Sequence, residues 1–148
     1  MKTILIALIL GFAGLAKAEP GEPKYPVSDI PEALKNNVNV VFREDKKIFT
    51  ILSKSKASFY VHQVITIFNE KGKKFASEEV SYNRLCKIKG IRGTAYDANG
   101  NQVKRLKNNE IYDQSSFDGF SLYSDNRFKA IDLAQSSYPY TVEFEYEV

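Results

Sequence analysis

The 148-residue chain contains no tryptophan, one cysteine, one histidine and one methionine, and each scarcity closes off a class of chemistry. A single cysteine forms no internal disulfide, so the fold has to be held by packing. One cysteine and one histidine cannot assemble a structural zinc site. A cysteine nucleophile needs an imidazole within hydrogen-bond reach and a third group to orient that imidazole. Here only Cys86 and His62 could pair. His62 lies in a strand-like run on the face of Tyr60, Val64 and Phe68, where a packed or surface imidazole is the ordinary reading. No glycine-rich phosphate loop is present. Asp97-Ala98-Asn99-Gly100-Asn101 looks like a calcium loop, but its glycine comes two residues early and no glutamate stands at the required distance. Asp113, Asp118, Asp125 and Asp132 could supply a carboxylate pair, yet loop solvation explains them as well. The expectation is a chain with no catalytic residues, no metal and no cofactor.

Long apolar runs are also missing, except at the start. Ile4 to Leu15 follows an early lysine and precedes Ala16-Lys17-Ala18, the pattern of a secretory signal peptide cleaved after Ala18. The run falls short of the roughly 20 apolar residues of a bilayer crossing, and no cysteine follows it to take a lipid. The segment predicts export to the periplasm or beyond, without stable membrane insertion after cleavage. Removing Lys2 and Lys17 lowers the formal charge from +3 to 3 − 2 = +1. Basic clusters at 71–74, 87–89 and 104–107 are answered by Glu78, Glu79, Glu143, Glu145 and Glu147. This balance argues for solvated strand faces and hairpin tips and against nucleic acid as a partner.

What remains is mostly strand grammar. A Pro/Gly/Lys-rich leader over 19–26 reads as flexible, and residues 27–148 read as one domain. Ser28 or Asp29 offers an N-cap for one short helix to Lys35, with Glu32 completing a capping box and Asn36-Asn37 stopping it. Val38, Val40 and Phe42 alternate, the charged stretch 43–47 reads as a turn, and Ile48 to Leu52 as the returning strand. Phe59 to Phe68 is apolar on both faces and belongs in the middle of a sheet. Asn69 to Lys73 reads as a tight turn with Gly72 free to take positive φ, returning through Phe75 to Tyr82. Asn99-Gly100 marks a clearer hairpin within Ile88 to Leu106. Glu110 to Asp113 reads as a turn of helix, and Phe120 to Tyr123 and Arg127 to Leu133 as short strands. From Tyr140 the alternation is unbroken. Tyr140, Val142, Phe144, Tyr146 and Val148 share one face, and Thr141, Glu143, Glu145 and Glu147 the other. If that strand lay at an edge, its unpaired backbone would invite aggregation. Many short strands with almost no helix predict an all-β antiparallel sandwich.

The least regular region, around 108–139, mixes polar residues with aromatics. Tyr112, Phe117, Phe120, Tyr123 and Arg127 are the candidate binding residues, as stacking platforms for a polysaccharide or peptide. The same rings could equally fill the sandwich core.

The succession "YPVSDIPEALKNNVNVVFRED", "VHQVITIFNEKGKK", "IKGIRGTAYDANGNQVKRL", "IYDQSSFDGFSLYSDNRFKAIDL" and "YPYTVEFEYEV" resembles the exported bacterial domain of unknown function that precedes transglutaminase-like domains. The likeness runs from about Tyr25 to Val148. It implies a β-sandwich whose catalytic Cys, His and Asp belong to a following papain-fold domain, so no catalytic residue transfers to this chain. It also implies a chain truncated at its C-terminal end. Its expected role is a noncatalytic module that positions or regulates a downstream transglutaminase-like domain or another exported protein. The alternative is a free-standing exported binding protein working through residues 112–128.

Overall fold

The computed structural model describes residues 22–116 and 125–148. The expected signal peptide, Asp118 and the expected strand Phe120 to Tyr123 lie outside them. The fold is all-β, with eight strands in two antiparallel sheets among the described residues. In chain order these are β1 (Val40–Ser53), β2 (Lys56–Ile67), β3 (Ser77–Tyr82), β4 (Gly90–Tyr96), β5 (Gln102–Arg105), β6 (Tyr112–Ser115), β7 (Arg127–Asp132) and β8 (Tyr140–Glu147). The larger sheet has the order β1-β2-β8-β4-β5, and the smaller one β3-β7-β6.

The alternation at the end of the chain sets the architecture. β8 pairs with β2 on one side and β4 on the other, so it is the central strand of the larger sheet and not an edge. Tyr140, Val142 and Phe144 are completely enclosed and join Ile65, Ile67, Ala95, Ile131 and Leu133 in one core between the sheets. Polar links also join the two sheets outside the core: the Tyr146 hydroxyl donates to Glu78 at 3.0 Å, and Lys104 Nζ donates to the Asp132 carbonyl at 3.0 Å. β2 occupies the interior position that its two apolar faces predict, between β1 and β8.

Four local expectations are corrected. The charged residues 43–47 make no turn. They run straight through a 14-residue β1, with a register irregularity between Phe42 and Glu44 absorbing the change of face. The reversal comes later, around residues 54–55. Asn69 to Lys73 is not a hairpin turn: Glu70–Ala76 forms a 3-10 helix that carries the chain across to the other sheet, where β3 pairs with β7. Gly72 stands there for space, since a Cβ would lie 2.5 Å from the Asn39 carbonyl oxygen and 2.7 Å from Val40 Cγ1. The short N-terminal helix is realised as two 3-10 turns, Val27–Asp29 and Glu32–Leu34, each preceded by proline with no side-chain cap. Near 110, the 3-10 turn Asn108–Glu110 ends before Tyr112, which already belongs to β6.

The Asn99-Gly100 hairpin forms as the sequence predicts, with Gly100 at φ +87°. The described part of the leader is tied down on it. Lys24 N–H donates to Gly100 O at 2.8 Å and Val27 N–H to Ala98 O at 2.9 Å, with Tyr25 held at φ 55°.

Gly72→Ala is expected to lower stability by about 1–3 kcal/mol, because the added methyl meets backbone and forces a shift. A thermal melt reads it, and an unchanged melting temperature would show that the 3-10 segment has room to give.

Candidate functional site

The outer face of the larger sheet holds a polar cluster centred on Glu143. Register places Glu143 beside Val64 of β2 and Thr94 of β4. The Tyr96 hydroxyl donates to Glu143 Oε2 at 2.6 Å, and the Tyr25 hydroxyl donates to Oε1 at 3.2 Å. His62 Nε2 lies 2.9 Å from Oε1, while His62 Nδ1 lies 3.0 Å from Glu44 Oε1. Tyr25 meets Tyr96 edge to face at 5.6 Å, and Arg43 donates from Nη1 to the carbonyls of Tyr25 and Pro26. The leader is therefore clasped to the sheet through a carboxylate. Below it, buried Thr66 and Thr141 share a hydrogen bond of 2.8 Å.

Burial pushes the Glu143 carboxyl up, but hydrogen bonds from Tyr96, His62 and Tyr25 and the charge of Lys24 together hold it below its ordinary range. Desolvation pulls His62 down, and its contacts with Glu143 and Glu44 outweigh this, so its value is raised. Burial and the facing Glu143 push the Tyr25 phenol up to about 12. An imidazolium that donates from both nitrogens fits this cluster, and such a ring has no free nitrogen to act as a base. The exposed Cys86 sits in the turn after β3, where its N–H donates to Asn83 Oδ1 at 2.9 Å. It is not a partner of His62.

A second cluster lies on the smaller sheet. Asp113 and Ser115 of β6 share a face with Lys129 and Arg127 of β7, and Tyr82 of β3 stands beside Arg127. The Tyr82 hydroxyl donates to both Asp113 oxygens, at 2.6 and 2.8 Å. Arg127 donates from Nε to Tyr82 Oη at 2.9 Å and to Asp113 Oδ1 at 3.0 Å, from Nη1 to Ser115 Oγ at 3.2 Å and from Nη2 to Asp113. Hydrogen bonds from Tyr82 and then Arg127 hold the Asp113 carboxyl below its usual range. The cleft beside them has a volume of about 540 Å³ and is lined by Tyr82, Arg84, Lys87, Arg127 and Lys129, with Asp125 as its acid. Lys129 Nζ stands 5.9 Å over the Tyr82 ring.

The five candidate residues from the sequence are therefore not one described platform. Phe117, Phe120 and Tyr123 lie outside the described residues. Tyr112 is 66% exposed and pairs with Ala130 on the sheet face opposite to that of Asp113 and Arg127. Arg127 lines the cleft, with its guanidinium already engaged. Sequence reasoning missed Glu143, Tyr25, Tyr96 and Glu44 as one cluster. The signal available was the alternation itself, which put Glu143 on the same face as Thr141 without revealing which strands flank it. Among the described residues no group of three or more His, Cys, Asp or Glu is arranged to hold a metal ion.

This geometry defines a two-sheet β-domain with an internally satisfied polar face and an open cationic cleft. The chain belongs to DUF3857, a domain of unknown function with solved structures, whose family model matches residues 53–148. Its fold is similar to that of part of a solved Parabacteroides distasonis protein described as a "putative protease", with a TM-score of 0.61 and 11% identity. That match covers 74% of this chain and 22% of the other, so the chain corresponds to about a fifth of that protein's length. No curated protein matches in sequence.

The Glu143 cluster makes stability depend on pH at two ends. His62, raised from 6.5, contributes stability that is full below that value and is lost as pH rises through the folded-state value. Glu143, lowered from 4.5, contributes stability above that value that is lost as pH falls through its folded value. Glu143→Gln is expected to cost about 1–3 kcal/mol near neutrality and to flatten both limbs. Denaturant unfolding across pH reads this, and parallel profiles for the two proteins would refute it.

Proposed function

We propose that the chain is a noncatalytic exported module that positions or regulates a catalytic domain of the transglutaminase-like, papain-fold class. The observation that carries this reading is the state of the only histidine. Both ring nitrogens face carboxylates, so Cys86 has no imidazole base, and a cysteine–histidine reaction would have to be supplied by another domain. Membership of DUF3857 and a fold match covering 22% of a larger chain support it, since the second describes the same architecture as one part of a bigger protein. Export is proposed from the apolar run Ile4 to Leu15 and the Ala-Lys-Ala that follows. Among the described residues no helix is long and apolar enough to cross a membrane.

The test is to combine the chain with a separately produced transglutaminase-like domain from the same host. Binding at micromolar concentration, with a changed rate of amine incorporation by that domain, is expected. No binding at high micromolar concentration would remove the proposal.

The cleft favours a second reading, in which the chain binds an acidic polysaccharide or peptide. Arg84, Lys87, Arg127 and Lys129 stand against Asp125 in its lining. On this reading an oligogalacturonate binds in a salt-dependent way, and the paired change Arg84→Glu with Lys87→Glu weakens it at least tenfold. Equal binding by the two proteins in calorimetric titration would dismiss the cleft as its seat.

A further inference from the structure

The β1–β2 hairpin carries apolar side chains that the sandwich does not cover. Every residue of β1 from Asp45 to Ser53 is exposed. Among them Phe49, Leu52 and Ile51 are 65%, 59% and 75% exposed, and Ile48 and Phe59 are exposed beside them. These residues occupy both faces of the hairpin. Phe49 pairs with Phe59 and Ile51 with Ala57, on the face that continues into Val61 and the core, while Ile48 pairs with Tyr60 on the face of His62. β1 is also the end strand of its sheet, so its outward backbone groups have no strand to pair with among the described residues. Finally, residues 46–56 read "KKIFTILSKSK", with four lysines and no acid.

We propose that the β1 edge from Lys46 to Leu52 is a strand-addition site for an extended segment of a partner protein in which apolar residues alternate with carboxylates. An added strand satisfies the open backbone and sends side chains to both faces, where Ile48 on one and Phe49 and Ile51 on the other receive them. A lipid surface would cover the apolar side chains but leave the edge N–H and C=O groups unsatisfied in the hydrocarbon. Lys47 already reaches Asp45 at 2.9 Å, but a second copy would set its lysines against Lys46, Lys54 and Lys56, whereas a segment bearing carboxylates neutralises these. The chain already displays the matching chemistry. The other edge of β2 is taken by β8, in which Val142, Phe144 and Tyr146 alternate with Glu143, Glu145 and Glu147. The inference rests on the docking-module reading only for the identity of the natural partner.

The experiment titrates the full chain with a fluorescent synthetic peptide of residues 140–148, and with a twin in which its three glutamates are lysines. Saturable binding is expected, with amide exchange slowed at 46–52 and the twin at least tenfold weaker. Two exposed pairs of changes, Phe49→Ser with Ile51→Ser and Lys46→Glu with Lys47→Glu, should each lose at least tenfold in affinity with thermal melts kept. Four outcomes overturn the proposal: no binding to millimolar peptide, equal binding of the twin, protection appearing in β2 and β4 instead of β1, or the same substitutions abolishing only self-association or binding to phosphatidylglycerol vesicles. No catalytic domain enters the assay. A failed titration beside intact coupling to such a domain therefore removes the edge site alone, and the reverse result removes the module reading alone.

Discussion

A half-buried carboxylate in the central strand is the constraint around which the outer half of the molecule is arranged. Taking Glu143 out of water is costly unless donors replace the lost hydration. Tyr25, His62 and Tyr96 are those donors. They come from the leader, β2 and β4, so satisfying one charge fixes the register of three segments against β8. Glu44 then balances the far side of the imidazole, and Arg43 holds the leader backbone in place. The cluster resembles a catalytic site in residue type, and each of its members already has a partner within the fold.

The opposite face of the same strand builds the core, and the two faces divide the work. Tyr140, Val142 and Phe144 supply enclosed apolar area, while the charges needed for register stand outside. The smaller sheet covers only part of the larger one. Two kinds of surface stay open: the cationic cleft beside Tyr82 and Arg127 and the exposed apolar side chains of the β1–β2 hairpin. Both are places where a second molecule could complete what one sheet leaves unfinished.

Much of this was legible in the residues, unevenly and for physical reasons. The alternation from Tyr140 separated the apolar face from the polar one, because period two is a property of the strand alone, but Thr141 on the polar face is buried as well. The doubly apolar run to Phe68 correctly implied an interior strand, since only a flanked strand gains from two apolar faces. Asn99-Gly100 announced its turn through the positive φ that glycine tolerates. The two largest misreadings concern where the chain goes next. Residues 43–47 look like a turn by charge, yet an edge strand tolerates charge because one of its sides faces water. Gly72 looked like a turn glycine but answers to close packing against Asn39 and Val40, which is tertiary information. The meeting of Tyr25 with Glu143 spans 118 residues of sequence, and local pattern carries no trace of such distances.

The order of strands has a consequence in time. β2 and β4 are joined only through β8, so the larger sheet cannot close until residues 140–147 exist. At roughly 5–20 residues per second of synthesis, the interval between Ile67 and Tyr140 leaves the β1–β2 hairpin waiting for several seconds with one flank of β2 open. Non-local pairing of this kind folds slowly. The growing polypeptide thus stays without its core until nearly the last described residue has been added, and it spends its nascent life as a substrate for whatever keeps unfinished β-proteins from sticking to one another.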